Sequence, residues 1–535
     1  MTKYLLSRIL RGIISIIIVV GIVMVLLFTL IDKSNIFMQD TVYTKKQGND
    51  REVYKYQCWD NYGYLDYVSY GDYLVELEES GEIDRDTKFS AAVISNYAAD
   101  DSPLVAEYVA RFRSYYEAKG YTFVRLEAIF QNASTGALKQ GGAPYIFVYK
   151  NAPVIVRLWE YFSHLITVDN INYVEEPIDN RGLTFTFFDP LYGGTKFSPA
   201  IIGNGTQHKY LLYFDSSFPF IHQNLFSINL GKSYSINTGV DVYDTMTQTQ
   251  GSIVKSEITF PAGYVGQASV DLHTATYSSG SYSTWDGEKW EVTNDKYYTD
   301  RYVDNYTLVN KTKASFSKTG FSFVIGIIST FIAYVVGIPL GMAMAVNKDK
   351  LIDKLGTIYI IFIIAVPSLA YIFMFRAIGK GIGLPTTFDV DKLTPLMYVL
   401  PIVSLALPSI GGFMKWVRRY MIDQMNSDYV KFARSGGLTE SEVFRKHILK
   451  NAIIPIVHGI PGAILGSVVG GIITEGVYSV PGTGGMLVKA INYFDNGAII
   501  GLTLFYSTLT VVSLILGDIL MALVDPRISF TSKGR

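Results

Sequence analysis

The sequence predicts a membrane all-α bundle of six transmembrane helices, with a large α+β domain inserted between the first and the second. Three observations carry that reading. Apolar residues are concentrated in blocks near the two ends of the 535-residue chain, while the stretch between them reads as ordinary soluble sequence. Charge is segregated in the same way. From Asp32 to Lys318 there are 35 acidic and 25 basic side chains, against 12 and 21 elsewhere, although the formal net charge is only −1. Lys and Arg also recur on alternate loops between the apolar blocks, as they do when those loops face the cytoplasm.

The first block, Gly12 to Ile31, is long enough to cross a hydrocarbon core. Lys3, Arg8 and Arg11 precede it, and Thr29-Leu30-Ile31-Asp32-Lys33 offers no small-x-small cleavage site. It therefore reads as an uncleaved anchor rather than a signal peptide. Five further blocks follow, at Phe321–Val346, Gly356–Phe375, Leu393–Phe413, Ile453–Thr474 and Ala498–Val524. The Met414–Ala452 loop carries Lys415, Arg418, Arg419, Lys431, Arg434, Arg445, Lys446 and Lys450 against four acidic residues. That places this loop, the Asn347–Leu355 loop and both termini inside, and the acidic domain outside. The expected organisation is an anchor (1–31), an outer domain (32–318) and a five-helix core (319–535) with an inner loop (414–452).

Pro339, Pro367, Pro401, Pro408, Pro455 and Pro461 fall inside these spans, where neighbouring helices can re-satisfy the backbone groups that proline frees. Gly462, Gly466 and Gly470 recur every fourth residue of the fifth span. Such a face can approach another helix closely or leave an open path, and close packing is the plainer reading. Asp518 lies in the sixth span seven residues before Asp525, roughly 10 Å from the inner end at about 1.5 Å per residue. A carboxylate there is costly unless it faces other helices or water. With no chain of carboxylates beside it, Asp518 reads as a hydrogen-bonded structural anchor rather than an ion relay.

The segment from Asp32 to Lys318 is too long and too patterned for a linker. A helix opens at Asp101-Ser102-Pro103, lines up Leu104, Val105, Tyr108, Val109, Phe112 and Tyr116 on one face, and closes at Gly120. Tyr121–Leu126, Tyr145–Tyr149, Leu183–Phe188 and Tyr210–Phe214 read as strands of a sizeable sheet. The chain has one cysteine, Cys58. No intramolecular disulfide is available to the domain, and Cys58 reads as a small buried apolar residue.

The inner loop contains Asp428-Tyr429-Val430-Lys431-Phe432-Ala433-Arg434-Ser435-Gly436-Gly437-Leu438-Thr439-Glu440-Ser441-Glu442. Thr439 and Glu442 stand at capping-box spacing. The expectation is a pair of short helices broken at Gly436-Gly437, a structured feature suited to docking a partner. This segment resembles the coupling loop of ABC importer permeases, with Ala433 and Gly437 at the motif's second Ala and its Gly. Lys431 and Phe432 depart from the general pattern. In that they are similar to the oligopeptide/dipeptide/nickel branch, which has Asp-Tyr-Val-(x)2-Ala-Arg-(x)2-Gly-Leu here. The N-terminal Tyr4-Leu5-Leu6-Ser7-Arg8-Ile9-Leu10 resembles the same branch, as do Gly337-Ile338-Pro339-Leu340-Gly341, Leu400-Pro401 through Ala406-Leu407-Pro408-Ser409, Glu475 through Gly484, and Asp525-Pro526-Arg527-Ile528.

The resemblance implies a type I ABC importer permease fold in a bacterial cell membrane, of the Gram-positive kind with an expanded outer loop. It implies a second homologous permease, two cytoplasmic ATPases, an extracellular substrate-binding lipoprotein and a peptide substrate, with lipid around the helices and no nucleic acid. Tyr429, Ala433, Arg434, Gly437, Leu438 and Glu440 become the candidate ATPase-coupling residues. Gly462, Gly466, Gly470 and Asp518 become candidates for packing or pathway. ATP and Mg would be bound by the partner ATPases, with no cofactor, metal or catalytic residue in this chain. Gly231-Lys232-Ser233 superficially resembles a phosphate loop, but Phe226 stands where the motif needs Gly. Nickel or another small solute is an alternative cargo. A membrane-anchored enzyme or adhesin is a weaker alternative, because the sequence has no Gly-x-Ser-x-Gly and no zinc-type cluster.

Overall fold

The computed structural model describes residues 2–97, 102–132, 138–172, 180–188, 197, 199–206, 208, 210–215, 220–247, 254–261, 272–277, 282–285, 290–293, 302–312, 316–469 and 471–524. Helix α1 (Thr2–Leu30) is a single apolar rod. After it come α2 (Thr41–Lys45), α3 (Gly48–Asn61), α4 (Tyr70–Glu79), α5 (Arg85–Ala91), α6 (Pro103–Ala118), α7 (Val154–Ser163) and α8 (Val242–Thr247). The predicted helix is α6. Ser102 caps it by accepting from the Val105 N–H, and Gly120 ends it at φ +82°, a conformation that favours glycine. Its Phe112 and Tyr116 pack with Tyr70, Tyr73 and Leu74 of α4 and with Ile146 and Val148.

The expected strands form, but not as one large sheet. Tyr145–Asn151 lies between Leu65–Ser69 and Thr122–Leu126, antiparallel to both, and its Ile146, Phe147 and Val148 are buried. The largest sheet among the described residues has four strands and includes Gly182–Thr186, Ala200–Asn204, Tyr210–Asp215 and Phe220–Gln223. The strands are short and turn-punctuated, and Leu183 and Phe185 of Gly182–Thr186 stay exposed, so no second layer covers them to build a larger core. Cys58 is buried as expected, in an aromatic cluster with Phe37, Trp59 and Tyr64.

The membrane half continues with α9 (Lys318–Val346), α10 (Leu351–Ala365), α11 (Ser368–Gly381), α12 (Leu396–Met425), α13 (Asp428–Ser435), α14 (Glu440–Val443), α15 (Lys450–Val469), α16 (Ile472–Tyr478), α17 (Thr483–Asn492) and α18 (Asn496–Val524). Among the described residues, five helices are long and apolar enough to span a membrane, namely α1, α9, α12, the Glu440–Gly466 helix and α18. The predicted third span, Gly356–Phe375, is not one helix: α10 and α11 meet at 105°. Pro367 is the cause, since it forces Val366 out of the helical region to φ −81°, ψ 126° and removes a backbone donor. The fifth span does not run unbroken to Thr474: α15 is described to Val469, Gly470 lies outside the described residues, and α16 is a separate short helix after Gly471.

One joint ties the outer half to the bundle. The Asp495 carboxylate, just before α18, is fully buried. It accepts from Ser233 Oγ (2.8 Å), the Tyr234 N–H (2.8 Å), the Ser235 N–H (2.7 Å) and Ser235 Oγ (3.0 Å). Its other oxygen accepts the Ala498 N–H of α18 at 3.1 Å. Gly497 and Gly501 let this loop lie against α18, since a Cβ at either would meet Lys232 O at 2.2 Å or Leu230 O at 2.5 Å. Replacing Asp495 by Ala strands several buried donors, at about 1–3 kcal/mol for a group left unsatisfied. Asp495→Ala should therefore lower the melting temperature of the purified protein and speed proteolysis of its outer half. Unchanged melting and digestion would show that the joint bears no load.

Candidate functional site

The inner loop folds as the sequence suggested. Helix α13 ends at Gly436, and Gly437 follows at φ +83°. Helix α14 begins with the expected capping box, in which the Thr439 N–H donates to Glu442 Oε2 at 3.1 Å and the Glu442 N–H donates to Thr439 Oγ1 at 3.4 Å. A π-turn over Phe444–Leu449 then leads into α15. Such turns interrupt the α ladder and are frequent at functional sites.

The predicted coupling residues divide by what they touch. Val430 and Ala433 of α13 are buried with Ala345 of α9, Val417 and Met421 of α12, and Val443, Ile448 and Ala452, and Leu438 packs against the same cluster. This side therefore rests on the inner ends of several spans. Arg434 and Glu440 pair with each other, at 2.9 Å from Nε to Oε1 and 3.1 Å from a terminal nitrogen to Oε2, which staples α13 to α14 across the glycine turn. Tyr429 Oη donates to Gln424 Oε1 and accepts from Asn451 Nδ2 at 2.9 Å. The Lys431 ammonium, 2.9 Å away, holds the exposed Asp428 carboxyl below its ordinary range.

Phe432, noted in the sequence only as a departure from the general pattern, is absent from the candidate coupling residues. It is 81% exposed, beside exposed Lys431 and Ser435. The Asp-Tyr-Val-(x)2-Ala pattern treats this position as variable, so nothing in the motif singled it out. An apolar ring held out on a rigid, polar-edged loop is what an interface anchor needs.

Over residues 337–530 the chain matches the family described as binding-protein-dependent transport system inner membrane component. It is 34% identical to the oligopeptide transport system permease protein AmiC of Streptococcus pneumoniae, over the full length of both chains. The chain belongs to this permease family. A shorter match, 28% identical, links 40% of this chain to 69% of the dipeptide transport system permease protein DppB of Bacillus subtilis. Among solved structures, an amino acid ABC transporter is similar over 38% of this chain and 91% of that one, at 18% identity and a TM-score of 0.29. Membership makes the chain a multi-pass transport subunit with a type I ABC importer permease fold.

Within that permease core, Gly462 and Gly466 make no close approach to another helix of this chain. A Cβ at Gly462 would come only to 4.0 Å from Ser513 Oγ, Gly466 faces open space within this chain, and Gly470 lies outside the described residues. The close approach is made by Gly337 and Gly341 of α9 instead. There a Cβ would meet Phe413 Cβ at 2.8 Å and Met414 O at 2.9 Å of α12, the helix with which α9 packs most extensively. Near the outer end, Glu475 of α16 is buried, accepting from Ser322 Oγ of α9 (2.7 Å) and the Gly485 N–H (3.2 Å). Tyr478 Oη lies 2.9 Å from Ser404 Oγ of α12. The stretch from Glu475 to Gly484 is thus a plug tied to two spans.

Asp518 is buried in α18 and forms an ion pair with Arg8 of α1, while Tyr4 Oη donates to the same carboxylate oxygen at 3.1 Å. The pair joins the first and last spans. Asp518 is buried but Arg8 keeps 41% of its side chain exposed, so removing the carboxylate costs less than the about 3–5 kcal/mol of breaking a fully buried pair, and replacing both partners by apolar residues is often neutral. Asp518→Leu should therefore reduce the thermal stability and yield of the assembled complex, and Arg8→Met added to it should restore most of the loss. A double variant as poor as the single one would show that the charge pair is not what holds the two helices.

Proposed function

We propose that this chain is a channel-forming permease subunit of an ATP-driven importer that takes up oligopeptides delivered by an extracellular binding lipoprotein. The observation that carries the reading is the 34% identity to an oligopeptide permease along the whole of both chains, outer domain included. The other relative described above matches only 40% of this chain. In the proposed arrangement both termini and the 414–452 loop are cytoplasmic and residues 32–318 are extracellular, with a second homologous permease completing the channel. Strand Gly182–Thr186 supports a docking role for the outer domain, since Leu183, Phe185 and the following Phe187 alternate along it and are all exposed.

Coupling on this reading runs through α13. Each of two cytoplasmic ATPases receives one permease loop in a cleft, with Phe432 as the apolar anchor. Closure of the ATPases pushes on α13, and the buried Val430 and Ala433 pass that push to α9 and α12. The Arg434–Glu440 pair and the Gly437 turn keep α13 and α14 moving as one piece. A Cβ at Gly437 would meet nothing within 4 Å, so a side chain there meets backbone strain rather than a clash, of about 1 kcal/mol or more.

Two variants test the reading. Phe432→Ala should leave the chain inserted and stable but suppress uptake of a labelled oligopeptide and its stimulated ATP hydrolysis by tenfold or more, about 1.4 kcal/mol of coupling. Gly437→Trp should act in the same direction. Normal uptake in both would remove the loop as the transmission element. Topology is checked separately: cysteine at the exposed Val93 should react with an impermeant thiol reagent on intact cells, and cysteine at Ser435 should not.

A further inference from the structure

Helix α7 (Val154–Ser163) carries two apolar faces, and only one of them has a protein partner. Leu158, Tyr161 and Phe162, with Leu165 beyond the helix, pack on a core that includes Val20 and Met24 of α1. Leu158 reaches within 3.8 Å of a Cβ built at Gly21. Ile155, Val156 and Trp159 form the second face, spread over roughly 100° of arc at about 100° per residue. Ile155 is 72% and Trp159 75% exposed. The third face is polar, with Arg157, Glu160 and, just past the helix end, His164.

The level of α7 along α1 is set by a ring of polar groups. A cavity of about 280 Å³ between α1, α7 and the start of α18 is lined by Met24, Phe28, Arg157, Lys232, Asp495 and Asn496, among others. Arg157 lies over the Phe28 ring at 4.5 Å, and burial pulls its pKa below the usual arginine value. Gly21 is one turn inward of Met24, roughly 5 Å at about 1.5 Å per residue. α7 therefore meets α1 from Gly21 to Phe28, across the level of the cavity and into the span below it. Along α1 itself, Ile14, Ile17, Ile18 and Ile22 are exposed in the chain, and hydrocarbon is the medium that covers such residues on a spanning helix.

We propose that α7 is an interfacial helix of the outer leaflet, lying against α1 with Ile155, Val156 and Trp159 in the lipid and Glu160 and His164 toward water. Three features select lipid over a protein partner. The span on which α7 rests has exposed apolar residues of its own at Ile14, Ile17, Ile18 and Ile22. The exposed face of α7 carries no charge, and tryptophan beside a polar stripe is the composition of the membrane–water boundary. Its contact with α1 reaches Gly21, inside the apolar stretch of that span, as a helix seated at the headgroup–acyl boundary requires. The outer domain is then held at the membrane surface at two places, the Asp495 joint and α7, which restricts how far it can tilt away from the bundle.

The test uses the complete transporter in phospholipid nanodiscs, with Cys58 replaced by Ala and a nitroxide label placed in turn at Ile155→Cys, Trp159→Cys and Glu160→Cys. At 155 and 159, collisions with oxygen should exceed those with a water-soluble nickel chelate several-fold, and the ratio should reverse at 160. Free access of the chelate to 155 and 159 would overturn the proposal in favour of a water-facing helix. Exclusion of both reagents there would overturn it in favour of a subunit contact. A second measurement avoids labels. The part of the tryptophan emission that Trp159→Phe removes should be quenched by brominated acyl chains, and absence of that quenching would also sink the proposal.

Discussion

Charge buried where water cannot reach must be neutralised or fully hydrogen-bonded inside the protein, and the architecture depends on how this chain meets that constraint. Among the described residues, the buried acids are Asp353, Glu475, Asp495 and Asp518, and all four lie in the permease half. Each sits at a joint. Asp353 at the start of α10 takes a two-point contact from Arg418 of α12, at 2.5 and 2.8 Å. Glu475 ties the outer plug to α9, Asp495 ties the outer domain to α18, and Asp518 ties α18 to α1. Lipid provides little hydrophobic drive to bring one apolar helix to another. Directional bonds of this kind, with close seams such as Gly337 and Gly341 on α12, decide which helix meets which.

The same constraint explains what could be read from the sequence. Apolar blocks and the asymmetry of Lys and Arg located the spans, because both follow from the membrane as solvent rather than from any contact. The capping box at Thr439 and the turn at Gly437 were legible because their chemistry is local. Partners were not legible. Asp518 was marked as an anchor, and Tyr4 and Arg8 stood in a quoted motif, but nothing along the chain connects positions more than 500 residues apart. Glycine spacing is ambiguous for a related reason. Gly337/Gly341 and Gly462/Gly466 have the same period of four, and only the fold decides which pair meets a neighbour. The break at Pro367 was visible as a proline, but its 105° consequence depends on what surrounds it.

Gly231-Lys232-Ser233 shows how a dismissed pattern can keep its chemistry and change its ligand. The segment is not a nucleotide loop, yet the turn that follows aims the Tyr234 and Ser235 N–H groups and two serine hydroxyls at one anion, as phosphate loops do. The anion is a side chain of the protein itself, Asp495. The backbone just ahead is organised by a second carboxylate: Asp241 accepts from the Leu230 and Gly231 N–H groups at 3.1 and 2.9 Å, and burial raises its pKa. Glycine is required in such a turn because Gly231 adopts φ +101°. A sequence motif for anion binding therefore identifies the geometry more securely than it identifies the anion.

These joints bear on how a permease of this kind transmits motion. The inner loop is fastened to α9 and α12 by buried contacts, and the outer plug is fastened to the same two helices through Ser322 and Ser404. A displacement of α13 that moves α9 relative to α12 would have to disrupt their glycine seam, where a Cβ finds no room. The two helices are therefore constrained to travel together, as one rigid piece carrying the inner loop at one end and the plug at the other. On the proposed reading, motion is absorbed elsewhere, and two places among the described residues suit it. One is the π-turn at Phe444–Leu449, where the α ladder is already interrupted, and the other is the Val366–Pro367 break between α10 and α11. On the proposed reading, coupling is then a matter of a stiff lever with hinges at its flanks, rather than a chain of small adjustments along each span.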